Sequence, residues 1–297
     1  MILTEEQRLI RESARKFAQE RLAPHSAEWE RAAAFPRAVI TELGDLGFMG
    51  LTVPIEWGGA GADYVACALA LEEIAAGDGA ISTVVSGHNA VGVMPILAYG
   101  SEAQKERYVR DLAAGRKLTA FCLTEPQGGS DASALRTRAR REGDTYVLSG
   151  TKQFITSGAT ADLALVFAVT DPDARKRGIS AFIVDTKTPG YVVSRIEKKM
   201  GQNASDTCEI QLQDAVVPAE CRLGEEGAGY RIALANLEGG RIGIAAQCVG
   251  MARAALEIAV RYAHEREAFG KAIFEHQAVS FRLADMAANL EAARQLT

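Results

Sequence analysis

Apolar positions over the first hundred-odd residues recur at helical intervals. Thr4-Glu-Glu-Gln7 has the spacing of a capping box, and Ile10, Ala14, Phe17 and Ala18 follow at helical steps. Pro24 is expected to end that helix, and Pro36 to open the next in its first turn, with Gly44 and Gly47 at its end. Ala62 to Ala76 reads as a mostly apolar helix stopped by Gly77. Ser101-Glu-Ala-Gln104 is a second capping box, and its helix ends near Gly115. The period then changes. Leu118 to Leu123, Thr145 to Leu148, Ala164 to Val169, Ile179 to Val184 and Tyr191 to Val193 read as strands separated by Gly, Asp, Pro and Ser clusters. Cys208 to Gln213 alternates with period two, and Pro218 and Gly224 close this stretch. Helices return after Gly229, with one stripe over Arg241 to Arg266 and another from Glu275 to the end.

The order α, then β, then α predicts an α+β protein: an N-terminal α-helical domain at 1–117, a middle β-barrel domain at 118–225 and a C-terminal helical bundle at 226–297. It excludes a doubly wound sheet, in which strands and helices alternate. The last stripe is still in phase at Leu290 and Ala293 with no stop signal, so the bundle is expected to be incomplete in this chain and its missing part helical.

Charge and composition narrow the function classes. Acids outnumber bases, 38 against 33, for a net charge of −5, which argues against nucleic acid as a partner and leaves no polybasic membrane patch. The uncharged run Gly79 to Ser101 is interrupted by His88, Asn89, Pro95 and glycines, so no membrane span is expected there. Five scattered cysteines contain no CxxC pair, and the four histidines are equally dispersed, so no metal site is expected. Sparse thiols and a charged N-terminus without an apolar signal core suit a cytoplasmic protein, or a mitochondrial matrix protein without its transit peptide.

Four segments carry candidate chemistry. Phe121-Cys-Leu-Thr-Glu-Pro-Gln-Gly-Gly-Ser-Asp131 leaves a strand through a turn whose glycines let backbone N–H groups approach an anion; the plainer alternative is a β-turn. No G-x-G-x-x-G occurs, so a dinucleotide fold of the Rossmann type is excluded. In Gly150-Thr-Lys-Gln-Phe-Ile-Thr-Ser-Gly158, Phe154 and Thr156 fall on one side of a strand, where they could stack on a flat ring and bond its edge; alternatively Phe154 packs in the core. Leu237-Glu-Gly-Gly-Arg241 reads as a helix broken at Gly239-Gly240, with an arginine at the new N-terminus suited to an anion, or as a solvated junction. In His264-Glu-Arg-Glu-Ala-Phe-Gly-Lys271 with His276-Gln277, Arg266 could pair with a phosphate and Phe269-Gly270 would end the helix.

Taken in order, these segments resemble the acyl-CoA dehydrogenase family, the FAD enzymes of fatty-acid and branched-chain acyl-CoA oxidation. Val53-Pro-Ile-Glu-Trp-Gly-Gly-Ala-Gly61, the loop from Leu123, the strand from Gly150, Lys199-Met-Gly-Gln-Asn-Ala-Ser-Asp-Thr207 and the stretch from Arg261 to Gln277 carry the resemblance over almost the whole chain. It implies that Phe121, Leu123, Thr124, Gly129 and Ser130 line a flavin, that Phe154, Ile155 and Thr156 lie against its ring, and that Arg266, Phe269 and Gln277 hold FAD across a subunit boundary. Ser130, Glu238 and Arg241 would face the acyl-CoA. It further implies α,β-dehydrogenation to the enoyl-CoA, an electron-transfer flavoprotein as electron acceptor, and a homo-oligomer, dimer or tetramer. The sequence departs from the family pattern at Gln127, often glycine, and at Phe154, often tryptophan. The catalytic base is a glutamate near the C-terminus in most of the family and falls at Gly240 in a minority. The base is therefore expected beyond Thr297, and this chain to be nearly inactive. Oxidases and monooxygenases of the same fold, and a non-catalytic flavin or CoA scaffold, are the alternatives.

Overall fold

The computed structural model describes residues 2–297. The helices are α1 (Glu5–Phe17), α2 (Ala23–Ala32), α3 (Arg37–Asp45), α4 (Tyr64–Gly77), α5 (Gly79–Gly87), α6 (Met94–Tyr99) and α7 (Glu102–Ala113). Strands follow: β1 (Thr119–Cys122), β2 (Arg138–Glu142), β3 (Thr145–Thr156), β4 (Leu163–Val169), β5 (Ile179–Asp185), β6 (Tyr191–Ile196), β7 (Thr207–Pro218) and β8 (Arg222–Leu223). The long helix α8 (Gly229–Glu265), a short hairpin of β9 (Glu267–Ala268) and β10 (Lys271–Ala272), and α9 (Gln277–Leu296) complete the order.

Two compact units emerge. One comprises residues 2–27, Tyr64–Thr83 and Ile242–Thr297. In it α1 packs along α4, burying Ala14, Phe17, Leu69, Ala70 and Ile74. A side chain at Gly77 would meet the Ala18 Cβ at 2.9 Å, so glycine lets the two segments close. Buried Glu73 accepts from Arg15 Nη2 at 2.7 Å and from Arg253 Nη2 at 2.5 Å, and Glu72 from Arg294 Nε at 2.9 Å. Burial alone would raise the Glu73 carboxyl, but the two guanidiniums outweigh it and hold it below the usual range.

The other unit comprises Glu28–Asp63 and Val84–Arg241 and contains the sheet. Its order is β6-β7-β3-β2-β4-β5-β8, with β1 also on β4. The halves β6-β7-β3-β2 and β1-β4-β5-β8 meet at one parallel pair, Arg138↔Val169. Leu165, Phe167, Ile179, Ala181 and Ile183 of β4 and β5 pack with Val93, Ile96, Val109, Leu112, Ile232 and Ala233 from helical segments.

The structure corrects three local expectations and adds one strand. Pro24 does not end the first helix. A π-turn over Ala18–Leu22, in which Ala23 N–H reaches Ala18 O, widens the backbone just before it and lets α2 continue. Gly239-Gly240 does not break a helix: α8 runs through them, because buried Ile232, Ala233, Ala246 and Val249 on either side outweigh about 1 kcal/mol per glycine. α8 ends at Glu265, and Phe269-Gly270 instead form the tip of the β9–β10 hairpin, at φ 55° and 78°. Strand β2 is charged and carries no strand pattern in the sequence, yet it pairs along its whole length with β3. The run Gly79–Tyr99 is long and apolar enough for a membrane span, but 67% of its apolar 18-residue stretch is buried inside the protein, as in a core helix.

Candidate functional site

Strand β1 lies parallel to β4, with Phe121 opposite Leu165 and its ring 4.9 Å from that of Phe167. Leu123 is buried, and the chain then leaves the sheet. Glu125 and Gly128 bond each other's backbone at 3.0 Å in both directions, closing the turn around Pro126 and Gln127. Asp131 caps the next turn through Ser133 N. Gly129 and Ser130 are at least partly exposed between these turns. Among the described residues, their backbone N–H groups have no acceptor, and the hydroxyls of Thr124, Ser130 and Thr156 have no partner.

Strand β3 passes beside this loop, and Gln153 N–H donates to Thr124 O at 2.9 Å. Its pairing with β7 slips here: Lys152 faces Ile210, then Ile155 faces Cys208, so Gln153 and Phe154 together oppose Glu209 alone. The extra residue places Phe154 at φ 57° and pushes its ring outward, 64% exposed, while Ile155 turns into the core. The core-packing alternative for Phe154 is thereby overturned. Thr156 follows, half-buried.

Behind this corner sits a buried ion pair that sequence reasoning missed. Lys152 Nζ donates to Glu125 Oε1 at 2.8 Å and to Leu123 O at 3.1 Å. Glu125 also accepts from Arg136 N, Thr137 N and Gln127 Nε2, at 2.6, 3.0 and 2.6 Å. Burial pushes the Glu125 carboxyl upward, yet the Lys152 ammonium and these bonds hold it down at about 2; burial pulls the Lys152 ammonium downward despite Glu125. In sequence both are ordinary charges. The one available signal was a lysine in a strand otherwise rich in buried positions.

The predicted residues thus separate into groups. Phe121, Leu123, Thr124, Gly129, Ser130, Phe154, Ile155 and Thr156 share one corner of the sheet-bearing unit. Glu238 and Arg241 lie on α8 in that unit, and between them a side chain at Gly240 would have Val91 and Ala90 as its neighbours at 3.7 and 3.9 Å. Arg266, Phe269 and Gln277 belong to the helical unit. There Ile273 N–H donates to Arg266 O at 2.8 Å, and Phe269 stands 95% exposed, its ring edge-on to His276. The arrangement of the first group fits a flat heteroaromatic ring with a polar rim: an outward aromatic beside unpaired hydroxyls and N–H donors. Among the described residues no cluster of metal-ligating side chains occurs.

Comparison with known proteins bears on what that ring is. Family profiles described as acyl-CoA dehydrogenase N-terminal, middle and C-terminal domains match residues 4–116, 120–215 and 227–297. An acyl-CoA dehydrogenase of Bacillus subtilis (strain 168) is 48% identical over 100% of this chain and 78% of its own length. Butyryl-CoA dehydrogenase from Megasphaera elsdenii superposes with a TM-score of 0.96 at 43% identity, covering 100% of this chain and 78% of that one. A chain solved in work on the electron transferring flavoprotein of Acidaminococcus fermentans and flavin-based electron bifurcation gives 0.97 at 44% identity, with the same coverage.

Proposed function

The chain belongs to the acyl-CoA dehydrogenase family of FAD-dependent oxidoreductases, and from that premise we propose that it serves the α,β-dehydrogenation of a short-chain acyl-CoA thioester to the enoyl-CoA. The observation that carries this reading is the outward Phe154 beside the unpaired hydroxyls of Thr124 and Thr156 and the free N–H groups of Gly129 and Ser130. The butyryl-CoA dehydrogenase likeness supports the short-chain preference.

Bound at this corner, FAD supplies the acceptor for hydride from the substrate β-carbon. The residues of the chain hold and orient. Thr124, Thr156, Gly129 and Ser130 would donate to the polar rim of the ring, Phe154 would stack on it, and Phe121, Leu123 and Ile155 would back it. Ser130, Glu238 and Arg241 face the acyl-CoA. Arg266, Phe269 and Gln277 hold the rest of the cofactor of a neighbouring copy, for which a 95% exposed aromatic at a hairpin tip is suited. The electron acceptor suggested by the likeness to the Acidaminococcus fermentans chain would be an electron-transferring flavoprotein.

The α-proton needs a desolvated carboxylate whose basicity has been raised. Glu125 is desolvated, but its bond to Lys152 holds it at about 2, far too weak a base. Glu238 is not buried, and Gly240 has no side chain. With its carboxyl held that low, Glu125 is unsuited to that role.

The test is the visible spectrum of the purified chain after incubation with FAD, followed by titration with butyryl-, isovaleryl- and octanoyl-CoA. Retained flavin bands that respond first to butyryl-CoA are expected. A chain that retains no flavin, or whose flavin ignores every thioester, refutes the reading.

A further inference from the structure

Lys152 and Glu125 are fully buried, and the reaction uses neither. Their bonds run to every edge of the corner. The ammonium holds Leu123 O, one residue before Thr124, while its own strand presents Phe154 and Thr156 two and four residues later. The carboxylate grips the far end of the loop through Arg136 N and Thr137 N and its near end through Gln127. The loop between those grips carries Gly129 and Ser130. A buried ion pair is a poor way to stabilise a sheet, since an apolar pair of similar volume does as well or better. What this pair adds is a fixed distance between two walls that touch each other through few other bonds, chiefly Gln153 N to Thr124 O.

We propose, resting on the flavin reading above, that Lys152 and Glu125 are positioning residues: their bond sets the gap between the Thr124–Ser130 loop and the Phe154–Thr156 edge in which the ring is held. Removing either charge lets the loop drift, and the ring, still bound at saturating FAD, then sits in an altered field of donors.

The experiment compares the full chain with Glu125→Gln, Lys152→Met, the double variant E125L/K152M, and Phe182→Leu. Phe182 is fully buried in β5 and serves as a variant destabilised away from the corner. Three quantities are read: FAD dissociation by fluorescence, visible circular dichroism of the flavin at saturation, and amide hydrogen exchange of residues 126–137 without FAD. Both single variants are expected to weaken FAD binding about tenfold or more, to displace the flavin dichroism and to speed exchange at Arg136 and Thr137, with F182L doing none of these. The double variant should be more stable than K152M, since no unpaired charge stays buried, but should not regain the flavin signal, because nothing then accepts the Arg136 and Thr137 N–H groups. If E125Q does not fold, Glu125→Asp, which keeps the charge but withdraws it by one methylene, replaces it.

A flavin signal that returns with stability in the double variant overturns the proposal. So do single variants that match F182L at saturating FAD. If the unsubstituted chain takes up no FAD, the flavin reading itself fails and this role falls with it; uptake by the unsubstituted chain with unchanged variants defeats this role alone.

Discussion

Replacing His88 by glutamine isolates a pH-dependent contribution to folding that can be sized from the structure. His88 opens a π-turn over His88–Val93 and is buried. Its Nε2 lies 2.9 Å from Leu112 O, which can only accept, so that nitrogen carries the proton; Nδ1 then accepts from Thr119 Oγ1 at 3.2 Å. Burial is the main cause that lowers the ring to about 4 from 6.5, with the nearby Arg37 adding to it and the Leu112 bond opposing. The unfolded chain binds the proton near 6.5 and the folded one only near 4. His88 therefore stabilises fully above pH 6.5 and loses that contribution as pH falls toward 4. The gap corresponds to about 3 kcal/mol in total, of which about 2 kcal/mol is gone at about pH 5. Glutamine at this position retains an Nε2 donor for Leu112 O but does not titrate, so H88Q carries a constant packing loss instead. Urea unfolding of both proteins at about pH 7.5 and about pH 5 gives a double difference in which every other titrating group cancels. It should be about 2 kcal/mol, with H88Q less sensitive to acid. A double difference within about 0.5 kcal/mol of zero would refute the assignment of a neutral, buried imidazole.

Three further outcomes follow from the geometry. Gly240→Ala should raise the melting temperature, by about 0.5–1 kcal/mol of stability, because the added methyl meets nothing closer than 3.7 Å, whereas Gly250→Ala on the same helix should lose about 2 kcal/mol, since it would meet Glu72 O at 2.1 Å; equal effects at the two sites would sink this. Glu73→Ala leaves Arg15 and Arg253 without their shared carboxylate and should cost about 3 kcal/mol in chemical denaturation, and a loss under about 1 kcal/mol would show the cluster to be solvated. Phe154→Ala should leave stability within about 0.5 kcal/mol yet weaken FAD binding by roughly two- to tenfold in a fluorescence titration; the reverse pattern would return Phe154 to the core.

What the sequence reveals depends on how local the cause is. The capping boxes at Thr4 and Ser101 close as their spacing requires, because a cap involves only four consecutive residues. Strand β4 is an uninterrupted apolar run and β5 nearly so, both buried on both faces, and they announce themselves. Strand β2 does not: Arg138, Arg140 and Arg141 point to water and only Ala139 packs inward, so the element exists by pairing with β3 rather than by its own composition. Pro24 and the glycines of α8 mislead for one reason: a π-turn and distant burial override local preference, and neither is visible in a window of neighbours. At the site, the segments from Phe121 and from Gly150 are legible from motif order. The bulge that turns Phe154 outward depends on the register with β7, and the Lys152–Glu125 bond joins residues 27 apart in the chain.

The slipped register between β3 and β7 sets what inheritance can do to this stretch. A strand's sidedness counts by twos, so dropping one residue between Lys152 and Ile155 would leave those two on the same inward face opposite Ile210 and Cys208, and would erase the bulge instead. The side chain at position 154 meets water because the strand carries this one extra residue. A descendant of this chain could lose one residue here with its sheet intact, and would lose the outward aromatic with it.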